Sequence, residues 1–420
     1  MSLSRREWMT AAAGVPLMLS ACGRGRGYGN AIDMWAMGAE AEKLPDLLAG
    51  LARSGQPAVR VQPLPWSAAH EKLLTSFAGN SLPDVGQIGN SWLSELAAIG
   101  AILPVPAAMT SLVDGQFEGV VDTNRIGNRL MGLPWYVDTR LQFYRKDLFA
   151  DAGYNAPPER WDAWKAALHK VKRTKRDGYA VLIPINEYEH LTTMALSAGA
   201  TFLNPEGTRG AFNSPAFREA LSFYKSLYAE GLAPIAGAAQ ISNVWNEFAR
   251  GYFAIYPSGP WTIGDMKTRL PAELQDSWAT APFPGPDGPG RSTPGGSSLI
   301  VFSRAKDPAA AWRLVGQLLA PATQSRLQVL TGSLPPTRSV WASAKLLDDP
   351  ITDAFARQLD RTTALPKVPE WERIVTEMQT VAELFVRGRT SIDEAVRDMD
   401  RRADRLLEKR RWMISRDRAA

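Results

Sequence analysis

Residues 59–88 read VRVQPLPWSAAHEKLLTSFAGNSLPDVGQI and contain a strand, a helix and a second strand in that order. The first four residues alternate apolar and polar side chains, which is typical of a half-buried strand. Leu73, Leu74 and Phe77 recur at helical spacing, and residues 84–88 again have the pattern of a strand. The stretch therefore predicts a β-α-β unit, in which helices cover a mostly parallel sheet.

The same alternation continues on both sides of this unit. Residues 32–36 form a strand candidate, residues 44–51 carry leucines at helical spacing, and residues 92–99 are helical again. In open sheets of this kind, ligands bind outside the carboxyl ends of the strands. The loops at those ends are candidate parts of a binding site, and they lie near residues 37–38, 65–66 and 89–90.

A second α/β segment runs from about residue 140 to residue 285. Residues 141–144 and 179–183 are predicted strands, while residues 161–171 and 217–227 carry apolar stripes at helical spacing. The two segments together predict an α/β protein with two units of this kind.

The rest of the chain begins with a stretch rich in Pro and Gly. Residues 282–296 predict a loop or a crossing between the two units, because Pro and Gly interrupt regular structure. Residues 299–302 are a strand candidate, and a helix is expected from Asp307, with Pro308 at a position that helices tolerate. From about residue 341 to the end the pattern is helical.

The N-terminus has the pattern of a secretory signal. Arg5 and Arg6 form a basic patch, and residues 10–19 follow without a charge. A basic region, a short apolar region and a small-residue cleavage site describe an export signal, and the apolar run is shorter than the about 20 residues of a spanning helix. The sequence predicts a signal peptide over residues 1–21, within which residues 4–9 resemble a twin-arginine export signal.

Cys22 is the single cysteine of the chain, and it directly follows Leu19, Ser20 and Ala21. These four residues resemble a bacterial lipobox, in which the cysteine becomes the first mature residue and carries a lipid. The usual alternative for a lone cysteine is a buried free thiol, but the position of Cys22 at the end of a signal favours lipidation. Residues 22–29 are rich in glycine and predict a flexible tether.

The composition is that of an ordinary folded protein. The chain has 420 residues, of which 45% are hydrophobic and 22% charged, and this length allows two domains. A single cysteine excludes a disulfide within the chain and a site of several thiolates. The three histidines, His70, His169 and His190, lie far apart in sequence, which argues against a histidine-based zinc centre. We therefore expect no metal and no cofactor.

The net charge is +5, and many basic residues lie in the run 397–418. Acidic residues are interspersed in that run, which is typical of the solvated face of an amphipathic helix. Nucleic-acid binding would require a basic face with base-stacking aromatics. We expect no nucleic-acid partner.

Four groups of residues follow one another in a fixed order along the mature chain. They are 83–85 (PDV) with 90–92 (NSW); 133–139 (LPWYVDT) with 144–149 (YRKDLF); 251–254 (GYFA) with 259–261 (GPW); and 282–285 (PFPG) with 295–296 (GG). Taken together behind the lipobox-like N-terminus, these groups resemble the family 1 extracellular solute-binding proteins. That family includes maltodextrin-binding and many other sugar-binding proteins of ABC importers.

This resemblance implies a two-lobed α/β fold of the periplasmic-binding-protein type II, with the ligand in the cleft between the lobes. Each lobe would hold a mostly parallel sheet flanked by helices. Because the chain of such proteins crosses between lobes more than once, we expect lobe one at residues 30–138 plus 290–338 and lobe two at residues 139–289 plus 339–420.

The resemblance also implies the function. A protein of this family captures a small polar ligand, here expected to be a sugar or oligosaccharide, by closing its lobes. It then delivers the ligand to the membrane permease subunits of an ABC importer. We expect an exported monomer that faces the periplasm or the cell exterior and is held at the membrane by its lipid.

A sugar site needs flat aromatic faces together with a few directed polar groups. The chain has 14 Trp, and those near predicted strand ends and loops are candidates, although Trp is highly buried on average and often packs in the core. The aromatic candidates for ligand contact are Trp66, Trp92, Tyr136, Trp245, Trp261 and Trp371.

The polar candidates centre on the expected first crossing between lobes. There Asp138 could accept hydrogen bonds from two adjacent hydroxyls, or it could cap a turn. Glu187 could supply a second carboxylate, and Arg338 could bind hydroxyls or an anionic group, or else be an ordinary surface residue. The remaining candidates offer an amide or an accessible backbone, and they are Asn90, Gly295 and Gly296.

Other functions stay open at this point. Asp138 and Glu187 could imitate the carboxylate pair of a glycoside hydrolase, but no hydrolase, phosphate-loop or metalloprotease motif accompanies them. We therefore expect a binding protein and not an enzyme. The same fold could instead bind glycerol phosphate, a polyamine or a peptide, or it could present its ligand to a sensor, because a fold does not fix its ligand.

Overall fold

The structure is a computed structural model that describes residues 31–52, 58–174, 177–241 and 243–417. The predicted signal peptide, the predicted lipidation site Cys22 and the predicted tether lie outside the described residues. Within those ranges no helix combines the length and the apolar character that crossing a membrane requires.

Short strands supply the sheets of the described ranges. In chain order they are β1 (Ile32–Met37), β2 (Val59–Leu64), β3 (Val85–Gly89), β4 (Arg125–Ile126), β5 (Arg129–Leu130), β6 (Leu133–Asp138), β7 (Leu141–Arg145), β8 (Ile255–Ser258), β9 (Trp278–Ala281) and β10 (Gly295–Val301).

Helices occupy most of the remaining described chain. They are α1 (Gly38–Ala52), α2 (Trp66–Ala78), α3 (Leu93–Ala98), α4 (Glu118–Thr123), α5 (Lys146–Asp151), α6 (Trp161–Thr174), α7 (Tyr188–Ser197), α8 (Pro215–Ala229), α9 (Val244–Ala249), α10 (Trp261–Arg269), α11 (Pro308–Leu318), α12 (Pro321–Thr331), α13 (Arg338–Ser343), α14 (Pro350–Leu359), α15 (Trp371–Val386), α16 (Ile392–Leu406) and α17 (Glu408–Asp417). Short 3₁₀ helices occur at Asn90–Trp92, Ala107–Val113, Ala238–Gln240 and Ala272–Leu274.

Local sequence signals set several of these helix boundaries. Asp307 caps α11 by accepting a hydrogen bond from the backbone N–H of Ala310, and Pro308 occupies the first helical position. Ser391 and Glu394 form a capping box at the start of α16. The helix expected from Asp307 is therefore confirmed.

The first sheet has the strand order β2-β1-β3-β10-β6 among the described residues. β1 pairs in parallel with β2 and β3, as the β-α-β alternation predicts. β10 is antiparallel to both β3 and β6. The sheet is thus mixed and not purely parallel, because β10 enters from a distant part of the chain and runs against its neighbours.

The second sheet, β8-β7-β9, is antiparallel throughout its named strands. The resemblance implied a mostly parallel sheet in each lobe, and for the second sheet this detail is wrong. The predicted strand at residues 179–183 is also absent as a strand, since Val181 makes a single parallel bridge to Ile255. Alternation of strands and helices along the chain does not specify strand direction when long connections separate the partners.

The chain passes between the two sheets at defined points. β6 ends at Asp138 and β7 begins at Leu141, and the chain returns to the first sheet with β10 at Gly295. One buried apolar cluster contains Val137 from the first sheet and Phe143 from the second. The residues near 139 and 290 are therefore crossings, while the full extent of the two lobes stays a prediction.

Candidate functional site

A cleft lies where the two sheets face each other. It consists of two adjoining cavities of about 310 and 750 Å³, which share six lining residues. The shared residues come from both sides of the cleft and from the crossing, and they are Trp66, Asp138, Arg140, Glu189, Trp261 and Gly296.

The floor of the cleft is formed where β6 and β10 lie side by side. Asp138 pairs with Gly295, and Val137 pairs with Gly296. A Cβ atom on Gly295 would lie 1.9 Å from Oδ1 of Asp138, and one on Gly296 would lie 2.2 Å from the carbonyl oxygen of Tyr136. Gly296 also has a φ of 108°, which L side chains rarely adopt. Glycine is therefore required here, and it lets the Asp138 carboxylate lie directly on β10.

The floor carries several interacting charges. Burial raises the pKa of Asp138 to about 6, and the nearby Glu40 and Glu189 add to the rise, while Arg140 opposes it. Burial also raises the pKa of Glu40, which accepts a hydrogen bond from the hydroxyl of Ser333. An ionised Asp138 is therefore costly at this buried position, and a ligand that donates hydrogen bonds to it would relieve that cost.

Arg140 connects these carboxylates. It donates a hydrogen bond of 2.8 Å from Nη2 to Oε1 of Glu189 in the first turn of α7. Burial by itself would lower the pKa of Arg140, but Glu189 and Asp138 together raise it. Its guanidinium carbon also lies 5.2 Å from the ring centre of Trp261. The guanidinium of Arg140 is thus held between Glu189 of α7 and the ring of Trp261.

Aromatic side chains form the walls of the cleft. Trp66 at the start of α2 and Trp92 lie edge to face, with ring centres 5.6 Å apart. His70 lies 5.0 Å from Trp92 and pairs with Glu95 at 2.8 Å. Across the cleft, Trp261 at the start of α10 is 51% exposed. Trp66 and Trp261 are accessible to a ligand, because a partly exposed aromatic ring still has surface to bury.

Most of the predicted contact residues line this cleft. They are Trp66, Asn90, Trp92, Tyr136, Asp138, Trp261, Gly295, Gly296 and Trp371. Two of them are already engaged in the fold. Asn90 donates to the carbonyl of Gly295 and accepts from the hydroxyl of Ser298, and Trp371 is buried to 2% exposure in the core of the second unit.

Three predicted contacts lie outside the residues that line the two cavities. Glu187 lies 3.2 Å from the buried His190. Burial by itself would raise the pKa of Glu187, but His190 and Arg140 together lower it. Trp245 packs edge to face against Tyr256, with ring centres 6.2 Å apart. Arg338 pairs with Asp360 and lies over the ring of Phe117. Partners within the fold hold each of these side chains. The partner of Glu187 lies only three residues away in sequence, while those of Trp245 and Arg338 lie farther along the chain.

The sequence also missed lining residues that carry charge. Arg140 lies two residues after Asp138, at the very crossing that the sequence identified, so its position was a usable signal. Glu40 and Ser333 are bonded across a separation of 293 residues, which no local pattern could show. The other missed polar lining residues include Glu189, Asp265, Thr293 and Lys367.

The described residues offer no group of three or more His, Cys, Asp or Glu side chains that could hold a metal ion. What the cleft does offer is exposed aromatic faces opposite hydrogen-bonding groups. Carboxylates accept hydrogen bonds from hydroxyls, and the guanidinium donates them. The arrangement suits a polyhydroxylated small molecule with apolar faces.

Comparison with known proteins supplies the family. The family model of bacterial extracellular solute-binding proteins matches residues 52–325. The solved structure of the sugar-binding protein MalE from the phytopathogen Xanthomonas citri is 44% identical and has a TM-score of 0.87, and the match covers 92% of this chain and 99% of that chain.

Two curated proteins are more distant relatives. A putative binding protein of Brucella abortus is 27% identical over 82% of this chain and 85% of its own length. The diacetylchitobiose-binding protein DasA of Streptomyces coelicolor is 22% identical over 91% of this chain and 94% of its own. The structural match to MalE confirms the two-lobed fold that the sequence predicted.

Proposed function

Since the chain belongs to the family of bacterial extracellular solute-binding proteins, we propose that it captures a sugar in the cleft and delivers it to an ABC importer. The observation that carries this proposal is the placement of the half-exposed Trp261 and of Trp66 around Asp138 and Arg140. Aromatic faces bury the C–H surfaces of a sugar, and the two charged groups bind its hydroxyls. The likeness to the sugar-binding MalE of Xanthomonas citri supports the same ligand class.

The cleft has room for a small oligosaccharide, because the two cavities join at shared residues and each lies within the usual size range of ligand sites. The predicted contacts outside these cavities, namely Glu187, Trp245 and Arg338, are not part of this proposal. The proposed ligand contacts are the nine predicted residues that line the cleft, together with Arg140 and Glu189.

Binding proceeds through closure of the two lobes. Trp66 and Trp261 come from opposite sides of the cleft, so a ligand between them contacts both sides best when the sides approach. Such a ligand shifts the population toward the closed form. The importer then recognises the closed, loaded protein.

A polyamine is the second candidate, and one observation favours it. Among the described residues that line the larger cavity, four are carboxylates, namely Glu40, Asp138, Glu189 and Asp265, and Arg140 supplies the single guanidinium. Carboxylates near aromatic rings also fit a cationic chain. Glycerol phosphate fits the same acidic floor poorly, since its phosphate would meet like charges.

The binding role accounts for the cleft without a catalytic step. Glu187 does not line the cavities that Asp138 lines, so the carboxylate pair that resembled a hydrolase is not assembled around one ligand position. The protein should release no product from maltose, trehalose or chitobiose during prolonged incubation.

Export and anchoring follow from residues outside the described part of the chain. Arg5 and Arg6 direct the protein through the twin-arginine route, and Cys22 carries the lipid. Replacing both arginines with lysine should leave the precursor inside the cell. Normal export of that variant would leave only a general secretory signal.

In solution we expect the protein to be a monomer.

Isothermal calorimetry tests the ligand class. The panel contains maltose, trehalose, maltotriose, diacetylchitobiose, spermidine and glycerol phosphate. We expect saturable binding of at least one sugar and no binding of glycerol phosphate. Binding of spermidine alone would replace the sugar by the second candidate, and no binding of any compound would contradict the proposal.

A further inference from the structure

The outer face of α16 carries a row of basic side chains. Arg397, Arg401 and Arg405 recur every four residues, and Lys409 continues the row into α17. All four are exposed, and residues four apart lie on the same face of a helix. We call these four residues the basic stripe. The opposite face of α16 is buried against the protein.

Three acidic residues of α16 are bonded to other parts of the protein. Asp393 pairs with Arg218 at 2.7 Å, and Asp400 accepts a hydrogen bond from the backbone N–H of Phe212 at 2.8 Å. Asp404 accepts one from the backbone N–H of Gly210 at 3.0 Å.

Asp398 adjoins the stripe, because it pairs with Arg401 at 2.7 Å and with Arg402 at 2.9 Å. Two cations therefore share this carboxylate. Two further acidic residues beside the stripe, Glu394 and Glu408, are exposed. The four cations of the stripe outnumber the three carboxylates that adjoin it, so the net charge of this surface is positive.

Two large apolar side chains adjoin the stripe. Trp412 and Met413 on α17 are 55% and 50% exposed. Their helix is fixed to the body of the protein, because Arg410 and Arg411 donate to the carbonyl oxygens of Gly207 and Thr208 at 3.0 and 2.8 Å. An exposed Trp is unfavourable in water. Its fixed position beside a row of cations indicates a partner that has both negative charge and an apolar region.

We propose that the basic stripe, together with Trp412 and Met413, is a docking surface for a membrane rich in anionic phospholipid. Cations at four-residue spacing bind headgroup phosphates, while Trp and Met enter the boundary between headgroups and acyl chains. Each Arg or Lys near such a surface contributes attraction that adds to the others and is screened by salt. A soluble polyanion would use the cations but not the apolar pair.

Docking through this surface leaves the cleft free. The residues that line the two cavities of the cleft, as far as the chain is described, include none from α16 or α17. The proposal therefore adds an interaction surface and does not depend on the identity of the ligand.

Vesicle cosedimentation tests the proposal with the unlipidated full chain carrying Cys22→Ser. The vesicles contain phosphatidylcholine alone or phosphatidylcholine with phosphatidylglycerol. The stripe variant is R397Q/R401Q/R405Q. Its matched control is R125Q/R129Q/R326Q, which removes the same charge from exposed arginines elsewhere.

We expect the stripe variant to bind anionic vesicles at least about tenfold more weakly than the control variant. W412S/M413S should also weaken vesicle binding while leaving binding to soluble heparin unchanged. All variants should keep the melting temperature of the parent.

Equal vesicle binding by the stripe and control variants would overturn the proposal. So would a stripe variant that loses heparin binding while W412S/M413S keeps full vesicle binding, because that result describes a site for a soluble polyanion.

Discussion

Nη2 of Arg140 lies 2.8 Å from Oε1 of Glu189. Arg140 belongs to the two-residue link between β6 and β7, and Glu189 belongs to the first turn of α7. The bond therefore ties the crossing between the sheets to a helix of the second unit. The same guanidinium favours the ionised form of Asp138. Arg140 therefore both holds the crossing in place and interacts with the carboxylates on the cleft floor.

Replacing Trp261 with Ala should weaken sugar binding about tenfold or more, because the ligand loses an aromatic face that it buries on binding. The side chain is half-exposed in the empty protein, so the melting temperature should change little. Calorimetry and thermal unfolding measure the two effects. Trp412→Ala is the matched control, since Trp412 is similarly exposed but lies away from the cleft, and it should bind sugar as the parent does. A large loss of stability in Trp261→Ala with unchanged affinity would contradict a contact role.

The stability of the protein should depend on pH through Asp138. Its pKa is about 6 in the folded protein, above the ordinary value of 3.8. Between these two values the folded protein holds a proton that the unfolded chain releases. The contribution of this group to the free energy of unfolding is therefore full below about pH 4 and is lost as the pH rises through 6, by at most about 3 kcal/mol.

In the variant Asp138→Asn, the free energy of unfolding should not fall in this way as the pH rises. Urea unfolding at pH 4, 5, 6 and 7 should show that the parent loses stability relative to the variant as the pH rises. At pH 7 the variant should nevertheless bind sugar about tenfold more weakly, because hydrogen bonds to a charged acceptor contribute about 1.5–3 kcal/mol. Parallel pH profiles for parent and variant would show that Asp138 does not titrate in this range.

The glycine pair on β10 should tolerate no side chain. Gly296→Ala should cost about 2–4 kcal/mol of stability, because it combines an unfavourable φ with a clash against the carbonyl of Tyr136. Gly295→Ala should displace the Asp138 carboxylate and weaken sugar binding. Gly264→Ala is the control, since Gly264 lies in α10 and, apart from the adjoining backbone of that helix, nothing lies within 4 Å of the position that an added methyl group would take; this variant should be neutral or slightly stabilising. Wild-type stability and affinity in Gly295→Ala would show that the floor can shift.

Sugar binding should reduce the radius of gyration of the protein. A ligand that contacts both walls shifts the population toward the closed form only if it binds that form better. Small-angle scattering with and without a saturating sugar measures the change, and calorimetry under the same conditions confirms saturation. An unchanged radius of gyration at saturation would remove the closure mechanism and leave the binding role intact.

Membrane retention in cells should depend on Cys22. Cys22→Ser removes the only thiol of the chain and with it the lipid, so the exported protein should be released by a high-salt wash that also dissociates electrostatic contacts of the basic stripe. Fractionation and immunoblotting follow the protein. A Cys22→Ser protein that stays with the membrane after this wash would show that another segment anchors it.

Local periodicity was enough to identify the units of the fold. β1, β2, β3 and the helices between them follow directly from the alternation of strand and helix patterns, and the ordered motifs pointed to two lobes. These features depend on residues within a few turns of one another, and for that reason they are visible in the sequence. Trp66, Asp138 and Trp261 were found in the same way, since each lies at a predicted strand end or crossing.

Tertiary structure alone decided the directions of the distant strands and the charge pattern of the cleft. β10 joins the first sheet antiparallel, and it brings Gly295 onto Asp138 from far along the chain. Glu40 contacts Ser333, and Arg338 pairs with Asp360 outside the residues that line the cleft. Such pairings depend on how whole elements pack. The free energy of a long-range contact depends on the burial of all the residues around it, and a local sequence pattern carries no information about residues far along the chain.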